Sequence, residues 1–506
     1  MSLNIATMLR ESAETDPDKS LCHINDLSFS YAQVDEISGR VAAALLATGL
    51  QRGDKVALQL PNLPQFLFTY FGLMKAGLVM VPLNPLLRAP EVAYHLQDSE
   101  AKVLITFEMF AEEAFQGASE VEGITTYVVN LPGSDVRPAG TKHYDELYFA
   151  DDTRDIVPTG GDETAVLLYT SGTTGKPKGA DLTHLNLYMN CTVAGELFEF
   201  EETDIGVAVL PLFHVFGLSS VLNTTVRYGG TLVLVPRFEL EPVVDAIERH
   251  RCTIFSGVPT MYFGLLHMDT SGRDLSSLRV GVSGGAAIPG EVIRAFEEKF
   301  PGCVVLEGYG LSESTSTTTF NVNAQQRKLL SIGKPIWGVQ VRIVDEDDAV
   351  LPPGEGNVGE IVIRGHNIMK GYYNKPEATA EAFKNDWFHT GDLAYMDEDG
   401  YFFIVDRKKD LVIRGGYNVY PREVEEVLYE HPAVAEAAVI GRPDPKLGEE
   451  VLAFVALKPG AGAEPAELVA HCKDRLAAYK YPREVRIVDE LPKGATGKIL
   501  KKELRD

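Results

Sequence analysis

The sequence contains little cysteine, no surplus of basic residues and no long uninterrupted apolar run. Its 5 cysteines among 506 residues are far apart in the chain: Cys22, Cys191, Cys252, Cys303 and Cys472. Such scattered thiols argue against a disulfide framework and against a C-x-x-C zinc site, and they are typical of a reducing compartment. The N-terminus lacks a basic start followed by an apolar run, so we expect no signal peptide and a cytoplasmic protein.

Acidic residues outnumber basic ones, 72 Asp and Glu against 47 Lys and Arg, which gives a net charge of −25. Phosphate neutralisation needs a surplus of Lys and Arg, so this balance argues against nucleic acid and anionic lipid as partners. The acidic excess is confined to the first 406 residues, with 29 basic and 55 acidic groups, because residues 407–506 hold 18 and 17. We expect small-molecule partners, and the sequence leaves monomer and homodimer open.

The most apolar stretch, residues 66–83, contains Lys75 and two glycines. It predicts a buried helix followed by a core strand, and no integral membrane segment. Around it, helical and extended patterns alternate, as expected for a parallel sheet covered by helices. The helices are expected at 31–46, 64–74 and 91–97, and the strands at 55–60, 79–82, 102–106, 165–169, 206–210, 231–235, 253–256 and 278–282.

The secondary-structure pattern of the sequence changes after about residue 333. Turns are frequent and helices scarce over about 333–406, which predicts a β-rich subdomain. A compact α+β stretch follows, with helices at 421–431 and 465–479 and strands at 435–440, 451–457 and 485–488. We therefore predict an α/β protein of several subdomains: a large N-terminal domain at 1–406, a hinge at 407–410 and a small C-terminal domain at 411–506, a normal domain size.

The segment Y-T-S-G-T-T-G-K-P-K-G at 169–179 follows a strand and is dense in groups that bind phosphate. Glycines let the backbone approach an anion, hydroxyls donate to it, and Lys176 and Lys178 add charge. It is not the common P-loop, because two residues separate the glycines and Pro177 follows the lysine. A solvated turn is the alternative, which the density of phosphate-binding residue types disfavours.

Two other motif matches have weaker contexts. G-E-G-N-V-G at 354–359 fits G-x-G-x-x-G but precedes a strand, so it predicts a turn. G-V-S-G-G at 281–285 fits G-x-S-x-G with a strand before and a helix at 289–300 after it. A serine hydrolase would combine Ser283 with Asp392 and His431. We disfavour that alternative because no oxyanion segment lies upstream and the phosphate loop would have no task.

The loop at 169–179 resembles the signature loop of the adenylate-forming superfamily, which comprises acyl-CoA synthetases, peptide adenylation domains and luciferases. Further motifs follow in the family's order: P-L-F-H-V-F-G at 211–217, G-Y-G-L-S-E at 308–313, W-F-H-T-G-D at 387–392, D-R-K-K-D at 406–410, G-G-Y-N-V-Y-P at 415–421 and P-K-G-A-T-G-K at 492–498. Ser312 stands where the family usually has Thr. The chain is most similar to bacterial medium- and long-chain fatty acyl-CoA synthetases, with coumarate-type aryl ligases next.

The resemblance implies a ligase that joins a fatty acid to CoA through acyl-AMP, with ATP, Mg²⁺ and CoA as cofactor and substrates. It implies catalytic roles for Lys498, Glu313, His214 and Thr170, with Glu313 also holding the metal. Lys498 would bridge the carboxylate and the α-phosphate, and His214 would align the acid. The implied nucleotide-binding residues are Thr170, Ser171, Gly172, Thr173, Thr174, Gly175, Lys176, Lys178, Gly284, Gly285, Ala286, Tyr309, Gly310, Ser312, Asp392 and Arg407.

The same resemblance implies that the C-terminal domain alternates between two positions around Lys409. One position delivers Lys498, and the other completes a CoA tunnel with Gly415, Gly416 and Tyr417. The implied acyl pocket consists of Phe213, Phe216, Gly217, Gly285 and Gly308. The segments expected to line it contain no evident basic residue, which disfavours malonate-like diacids. The alternatives left open are an aryl-CoA ligase, an enzyme that loads a carrier protein, and a non-catalytic nucleotide- or acyl-binding protein.

Overall fold

The structure is a computed structural model that describes residues 3–170, 176–494 and 497–505. Its α-helices are α1 Ala6–Thr15, α2 Tyr31–Ala47, α3 Pro64–Ala76, α4 Ala89–Ser99, α5 Ala111–Ser119, α6 Asp145–Tyr148, α7 His184–Leu197, α8 Thr224–Tyr228, α9 Leu240–His250, α10 Pro259–His267, α11 Gly290–Lys299, α12 Pro376–Ala382, α13 Pro421–Tyr429 and α14 Pro465–Lys473. A π-helix at Phe216–Asn223 and 3₁₀ turns at Glu108–Phe110, Ser312–Ser314 and Lys501–Leu504 complete the helical elements of these residues.

The strands of the first half are β1 Ser20–Ile24, β2 Leu27–Ser30, β3 Lys55–Gln59, β4 Val79–Pro82, β5 Ala101–Phe107, β6 Thr125–Val129, β7 Lys142–His143, β8 Thr164–Thr170, β9 Lys178–Thr183, β10 Ile205–Ala208, β11 Thr231–Leu234, β12 Ile254–Gly257 and β13 Val280–Ser283. Those of the second half are β14 Val304–Tyr309, β15 Thr319–Phe320, β16 Lys334–Pro335, β17 Val339–Val344, β18 Gly359–Gly365, β19 Phe383–Lys384, β20 Trp387–Met396, β21 Phe402–Arg407, β22 Val412–Arg414, β23 Tyr417–Val419, β24 Val434–Asp444, β25 Gly448–Leu457 and β26 Glu484–Val488.

Two mostly parallel sheets form the large domain. Sheet A has the order β7-β6-β5-β3-β4-β8-β9, and sheet B has the order β16-β15-β14-β13-β12-β10-β11-β1-β2. The central pairings of both sheets are parallel, and antiparallel strands occur at their ends, such as β9 beside β8 and β15 beside β14. The predicted layers of parallel sheet and helix are therefore confirmed.

The apolar stretch at 66–83 forms α3 and β4, as predicted. Pro64 occupies the first turn of α3, and Gly77 ends the helix at a φ of 68°, a left-handed conformation that favours glycine. The Lys75 side chain is 1% exposed, and its ammonium lies 2.7 Å from an oxygen of Asp35 on α2. This ion pair compensates the charge of a lysine within a buried helix. No helix of the described residues is long and apolar enough to cross a membrane.

The β-rich part follows the large sheets. Sheet C has the order β17-β18-β20-β19, with β21 beside β20, and the segment 354–359 forms the predicted turn and ends at Gly359, the first residue of β18. Sheet D, of the small domain, has the order β23-β22-β25-β24, with β26 beside β25. A separate hydrophobic cluster around Val424, Leu428 and Val455 fills the small domain. β21 ends at Arg407 and β22 begins at Val412, while the domain boundary at 407–410 stays a prediction.

We expect Lys75→Met to lower the free energy of unfolding by about 2 kcal/mol, because it removes a buried ammonium from the half-buried Asp35 carboxylate and leaves Arg10 as the remaining charged partner of that carboxylate. Urea unfolding at neutral pH measures the change. The matched control is Lys102→Met, since Lys102 is 55% exposed and pairs with Asp54, a carboxylate about as buried as Asp35. A loss below about 1 kcal/mol is expected for this exposed lysine. Equal destabilisation by the two substitutions would contradict a structural role for the buried pair.

Candidate active site

A cavity of about 830 Å³ opens at the carboxyl ends of four neighbouring strands of sheet B. Residues that follow β10, β12, β13 and β14 line it, among them Pro211, Val258, Gly284 and Gly310. The carboxyl edge of a parallel sheet is where ligands bind in open α/β folds. Sheet A, sheet C and the small domain also contribute lining residues, so the cavity lies where these parts of the chain meet sheet B.

The strands that flank the phosphate loop reach this cavity. β8 and β9 are antiparallel and pair Thr170 with Lys178, and both residues line the cavity. Lys176 does not line it, because its ammonium lies over the ring of Tyr94, 5.1 Å from the ring centre. The predicted phosphate-binding residues Ser171, Gly172, Thr173, Thr174 and Gly175 lie outside the described residues.

Glu313 lies on the 3₁₀ turn that follows β14, and its side chain contacts Thr170 at the end of β8. The Thr170 hydroxyl donates to Glu313 Oε1 at 3.2 Å, and the Tyr372 hydroxyl donates to the same oxygen at 3.0 Å. No group of three or more potential metal ligands occurs among the described residues. One carboxylate in a phosphate site suits Mg²⁺, which keeps several waters and binds through one or two carboxylates and substrate phosphates.

Asp392, a predicted nucleotide-binding residue, contacts two others, Tyr309 and Arg407. It is 4% exposed, and its two oxygens contact different elements: Tyr309 donates to Oδ2 at 2.6 Å, and Arg407 Nε lies 3.2 Å from Oδ1. Burial and the Asp392 carboxylate raise the pKa of Tyr309, so its hydroxyl remains a donor. The three side chains form one connected wall of the cavity.

Lys498 enters the cavity from the small domain. The loop that carries it contacts the start of α10, where the Thr260 hydroxyl donates to the Gly497 carbonyl at 3.4 Å. Burial and the neighbouring Arg407 lower the pKa of Lys498 to about 8. Lys409 lines the same cavity, so both lysines of the predicted mechanism are present in this arrangement of the domains.

His214 lies in the cavity wall as a neutral imidazole. Burial and the nearby Lys498 ammonium lower the pKa of His214 to about 4. The Phe216 N–H donates to His214 Nδ1 at 3.3 Å, so Nδ1 is the acceptor and the neutral ring carries its proton on Nε2. A neutral ring beside a cation can contact a carboxylate without adding charge.

The apolar wall contains Phe198, Phe216 and Phe320, together with Gly285 and Gly308. Two predicted acyl-pocket residues, Phe213 and Gly217, do not line the cavity. A Cβ at Gly217 would lie 2.3 Å from the Pro211 carbonyl oxygen, so this glycine permits close packing of the π-helix on the preceding loop.

The structure does not bring the predicted CoA-tunnel residues to this cavity. Gly415 and Gly416 form the turn between β22 and β23, at φ values of 59° and 83°. Tyr417 is 61% exposed and packs on Tyr479. Ala286 also lies outside the cavity lining, in the exposed bend after β13.

The hydrolase alternative has no assembled triad. Ser283 and Asp392 line the cavity, but His431 lies in the small domain, where its ring contacts His471 and its Nε2 lies 3.6 Å from Glu467. Ser283 Oγ is buried and makes no hydrogen bond within the described residues. The three nominated side chains therefore cannot act together.

Several cavity residues were missed by sequence reasoning. Tyr372, Ser220, Thr317, Thr390 and Lys408 all line the cavity. Thr390 and Lys408 lie inside recognised motifs and could have been included on that ground. The others lie in segments that read as helix, turn or core, and the fold alone brings them to the site.

Comparison with known proteins agrees with this geometry. Residues 9–373 match the family model of the AMP-binding enzymes, and residues 423–498 match that of the AMP-binding enzyme C-terminal domain. The chain is 39% identical to a long-chain-fatty-acid–CoA ligase of Bacillus subtilis (strain 168), over 99% of this chain and 94% of that protein. It is 40% identical to a feruloyl-CoA synthase of an Amycolatopsis species, over 97% and 96% of the two chains.

Among solved structures, ATP-bound MatB from Rhodopseudomonas palustris is similar, with a TM-score of 0.90 and 34% identity over 99% of this chain and 98% of that one. The family models cover both domains, and the relatives are aligned along almost the whole length of the chain. These matches, together with the cavity that holds Lys498 and Glu313, show that the chain belongs to the AMP-binding enzyme family, as an adenylate-forming CoA ligase that uses ATP, Mg²⁺ and CoA.

Proposed function

We propose that this CoA ligase activates a medium- or long-chain fatty acid. The observation that carries the proposal is the combination of basic and apolar side chains in one cavity. Its basic side chains come from β9, from residues 407–409 and from the small domain: Lys178, Arg407, Lys408, Lys409 and Lys498. The same cavity is lined by the apolar side chains of Phe198, Leu210, Val215, Phe216 and Phe320. Such a lining suits a ligand that carries both phosphates and a hydrocarbon chain.

In the first half-reaction, a carboxylate oxygen of the acid attacks the α-phosphorus of ATP. The bond from that phosphorus to the bridging oxygen breaks, and pyrophosphate leaves with the electron pair. Thr170 and Lys178 bind the phosphates, and Glu313 would hold the Mg²⁺. When bound, Mg²⁺ supplies charge neutralisation that lets the two anions meet.

Lys498 and His214 orient the reacting groups. The Lys498 ammonium contacts the attacking carboxylate and the α-phosphate, where it stabilises negative charge as it develops. His214 donates from Nε2 and holds the acid in line with the phosphorus. Asp392 accepts from the ribose hydroxyls, and Tyr309 lies along the adenine.

In the second half-reaction, the CoA sulfur attacks the acyl carbon, the thiol proton passes to solvent, and the bond to AMP breaks. We infer that the small domain rotates about Lys409 for this step, which withdraws Lys498 from the cavity. The turn of Gly415, Gly416 and Tyr417 is exposed in the present arrangement, which supports its use in another one. Glycines there would let the thiol pass close to the backbone.

An aryl acid with a polar substituent is the second candidate substrate, and one observation favours it. Ser220 lies 2.7 Å from Ser316 and 3.3 Å from Thr317, measured between hydroxyl oxygens, and all three residues line the cavity. Two hydrogen bonds use two of the three hydroxyl protons, so one donor remains for a ligand or a water. A phenol or methoxy oxygen would accept it, whereas an alkyl chain would not.

An acid panel tests the substrate class. We expect pyrophosphate release and thioester formation to be faster with dodecanoate and palmitate than with coumarate, because Phe198, Phe216 and Phe320 offer apolar surface to an alkyl chain. The comparison is kcat/KM for each acid with saturating ATP and CoA. Ser220→Ala should leave the value for dodecanoate unchanged. Faster turnover of coumarate, with a loss of about tenfold in Ser220→Ala, would overturn the fatty-acid proposal in favour of the aryl one.

Lys498→Ala separates the two half-reactions. We expect pyrophosphate formation to fall by about 100-fold or more, because a preorganised charge at the transition state is lost. Thioester formation from supplied acyl-AMP and CoA should be retained, since Lys498 is withdrawn for that step. Lys502→Ala, an exposed lysine nearby, is the matched control and should keep both activities. An equal loss in both half-reactions would contradict the assigned role.

The pH profile of the first half-reaction should report the same lysine. In the free enzyme Lys498 has a pKa of about 8, so its ammonium is present below that pH and is lost as the pH rises through it. We expect kcat/KM for ATP, measured without CoA, to decline above about pH 8. Bound phosphates favour the charged form, so the decline in kcat should occur at a higher pH. Lys498→Arg should remove this limb, and a profile flat to pH 10 in the wild type would exclude the assignment.

A further inference from the structure

Tyr372 lines the cavity although it belongs to none of the segments that identified the site. It lies between β18 and α12, 59 residues after Glu313 in the chain. Its hydroxyl nevertheless donates to Glu313 Oε1 at 3.0 Å. The Tyr372 hydroxyl therefore contacts a carboxylate that lies beside the proposed phosphate site.

The backbone fixes where Tyr372 lies. Its segment runs antiparallel to β9, the strand that follows the phosphate loop, with a bridge between Ala180 and Tyr372. The Gly371 carbonyl accepts from the Asp181 N–H at 2.9 Å, and the Tyr373 N–H donates to the Gly179 carbonyl at 2.8 Å. The position of Tyr372 is therefore set by the same strand that holds one end of the loop.

Two hydroxyls contact one oxygen of Glu313. Thr170 donates to Oε1 at 3.2 Å from the end of β8, and Tyr372 donates to it at 3.0 Å from the segment between β18 and α12. Within the described residues no donor contacts Oε2. Two donors on one oxygen fix the orientation of a carboxylate and leave its second oxygen for a ligand.

The ring of Tyr372 also lies close to Lys178, the first residue of β9. Lys178 Nζ lies 5.0 Å from the ring centre, within the range of a cation–π interaction. Burial and the Glu313 carboxylate raise the pKa of Tyr372, so the phenol stays protonated and remains a donor. One side chain thus contacts both a cation of the phosphate site and the carboxylate beside it.

We propose that Tyr372 is a positioning residue that orients the Glu313 carboxylate for Mg²⁺ and holds Lys178 toward the phosphates of ATP. The inference rests on the proposed function, because that function assigns the metal to Glu313. Outer-shell partners of this kind typically change metal affinity or activity by about 10–100-fold when they are removed. Tyr372 acts through Glu313 and Lys178, and it takes no part in bond making.

Metal binding tests the proposal directly. Mn²⁺, which replaces Mg²⁺ and is detected by its electron paramagnetic resonance signal, is titrated into the full-length enzyme with a non-hydrolysable ATP analogue. Tyr372→Phe removes only the hydroxyl, and we expect Mn²⁺ to bind about tenfold or more weakly. Thioester formation from supplied acyl-AMP should be unchanged, because that step uses no ATP. Affinity for Mn²⁺ within twofold of the wild type would overturn the proposal.

Two further variants separate this inference from the proposed function. Tyr373→Phe is the matched control, because the neighbouring hydroxyl donates to Glu100 outside the cavity and should not affect Mn²⁺. Glu313→Gln should weaken Mn²⁺ binding if Glu313 holds the metal. Wild-type affinity in Glu313→Gln would refute the proposed metal site itself. Weak binding in Glu313→Gln with normal binding in Tyr372→Phe would refute the role of Tyr372 alone.

Discussion

The buried carboxylate of Asp392 is the contact on which the arrangement of the site depends. It accepts a hydrogen bond from Tyr309 at the end of β14, and it pairs with Arg407 at the end of β21. Sheet B, sheet C and the chain that leads into the small domain are therefore connected at one residue. A buried carboxylate needs such partners because an unpaired one is costly in the interior. The Asp392 side chain thus connects the end of β14 with the end of β21, where the chain leaves sheet C for the small domain.

The sequence predicted the parts of the fold that rest on local pattern. The strands that end in Thr170 and Ser283 are short and apolar, and each lies close to its expected range, whereas the strand Val304–Tyr309 was not predicted. Helix ends were less predictable. The helix expected at 465–479 ends at Lys473, because the following residues leave the helix in turns while Leu476 and Tyr479 still pack on the small-domain core. Tertiary packing, which propensity does not describe, decided that boundary.

The site residues also divide into those that a local motif predicts and those that only the fold brings to the cavity. His214, Glu313, Asp392 and Lys498 were predicted because each lies in a dense motif, and all four line one cavity. Tyr372 had no such signal, since its partner Glu313 is remote in sequence and only the pairing with β9 brings the two together. Gly217 was predicted to line the acyl pocket, but it does not line the cavity. It lets two backbone segments pack closely, which a small residue can do as well as leave room for a substrate. Its size therefore carries no information about the acyl chain.

The lowered pKa of Lys498 has a thermodynamic consequence for domain movement. The ordinary pKa of a lysine is about 10.4, so a lysine that leaves the cavity for water regains protons at a pH where the docked one is partly neutral. Near pH 8, withdrawal would therefore take up about half a proton, and acid would favour the withdrawn state. In the proposed mechanism, bound ATP would act in the opposite direction, because its phosphates would stabilise the docked ammonium. The nucleotide would then supply electrostatic free energy that brings the small domain onto the large one.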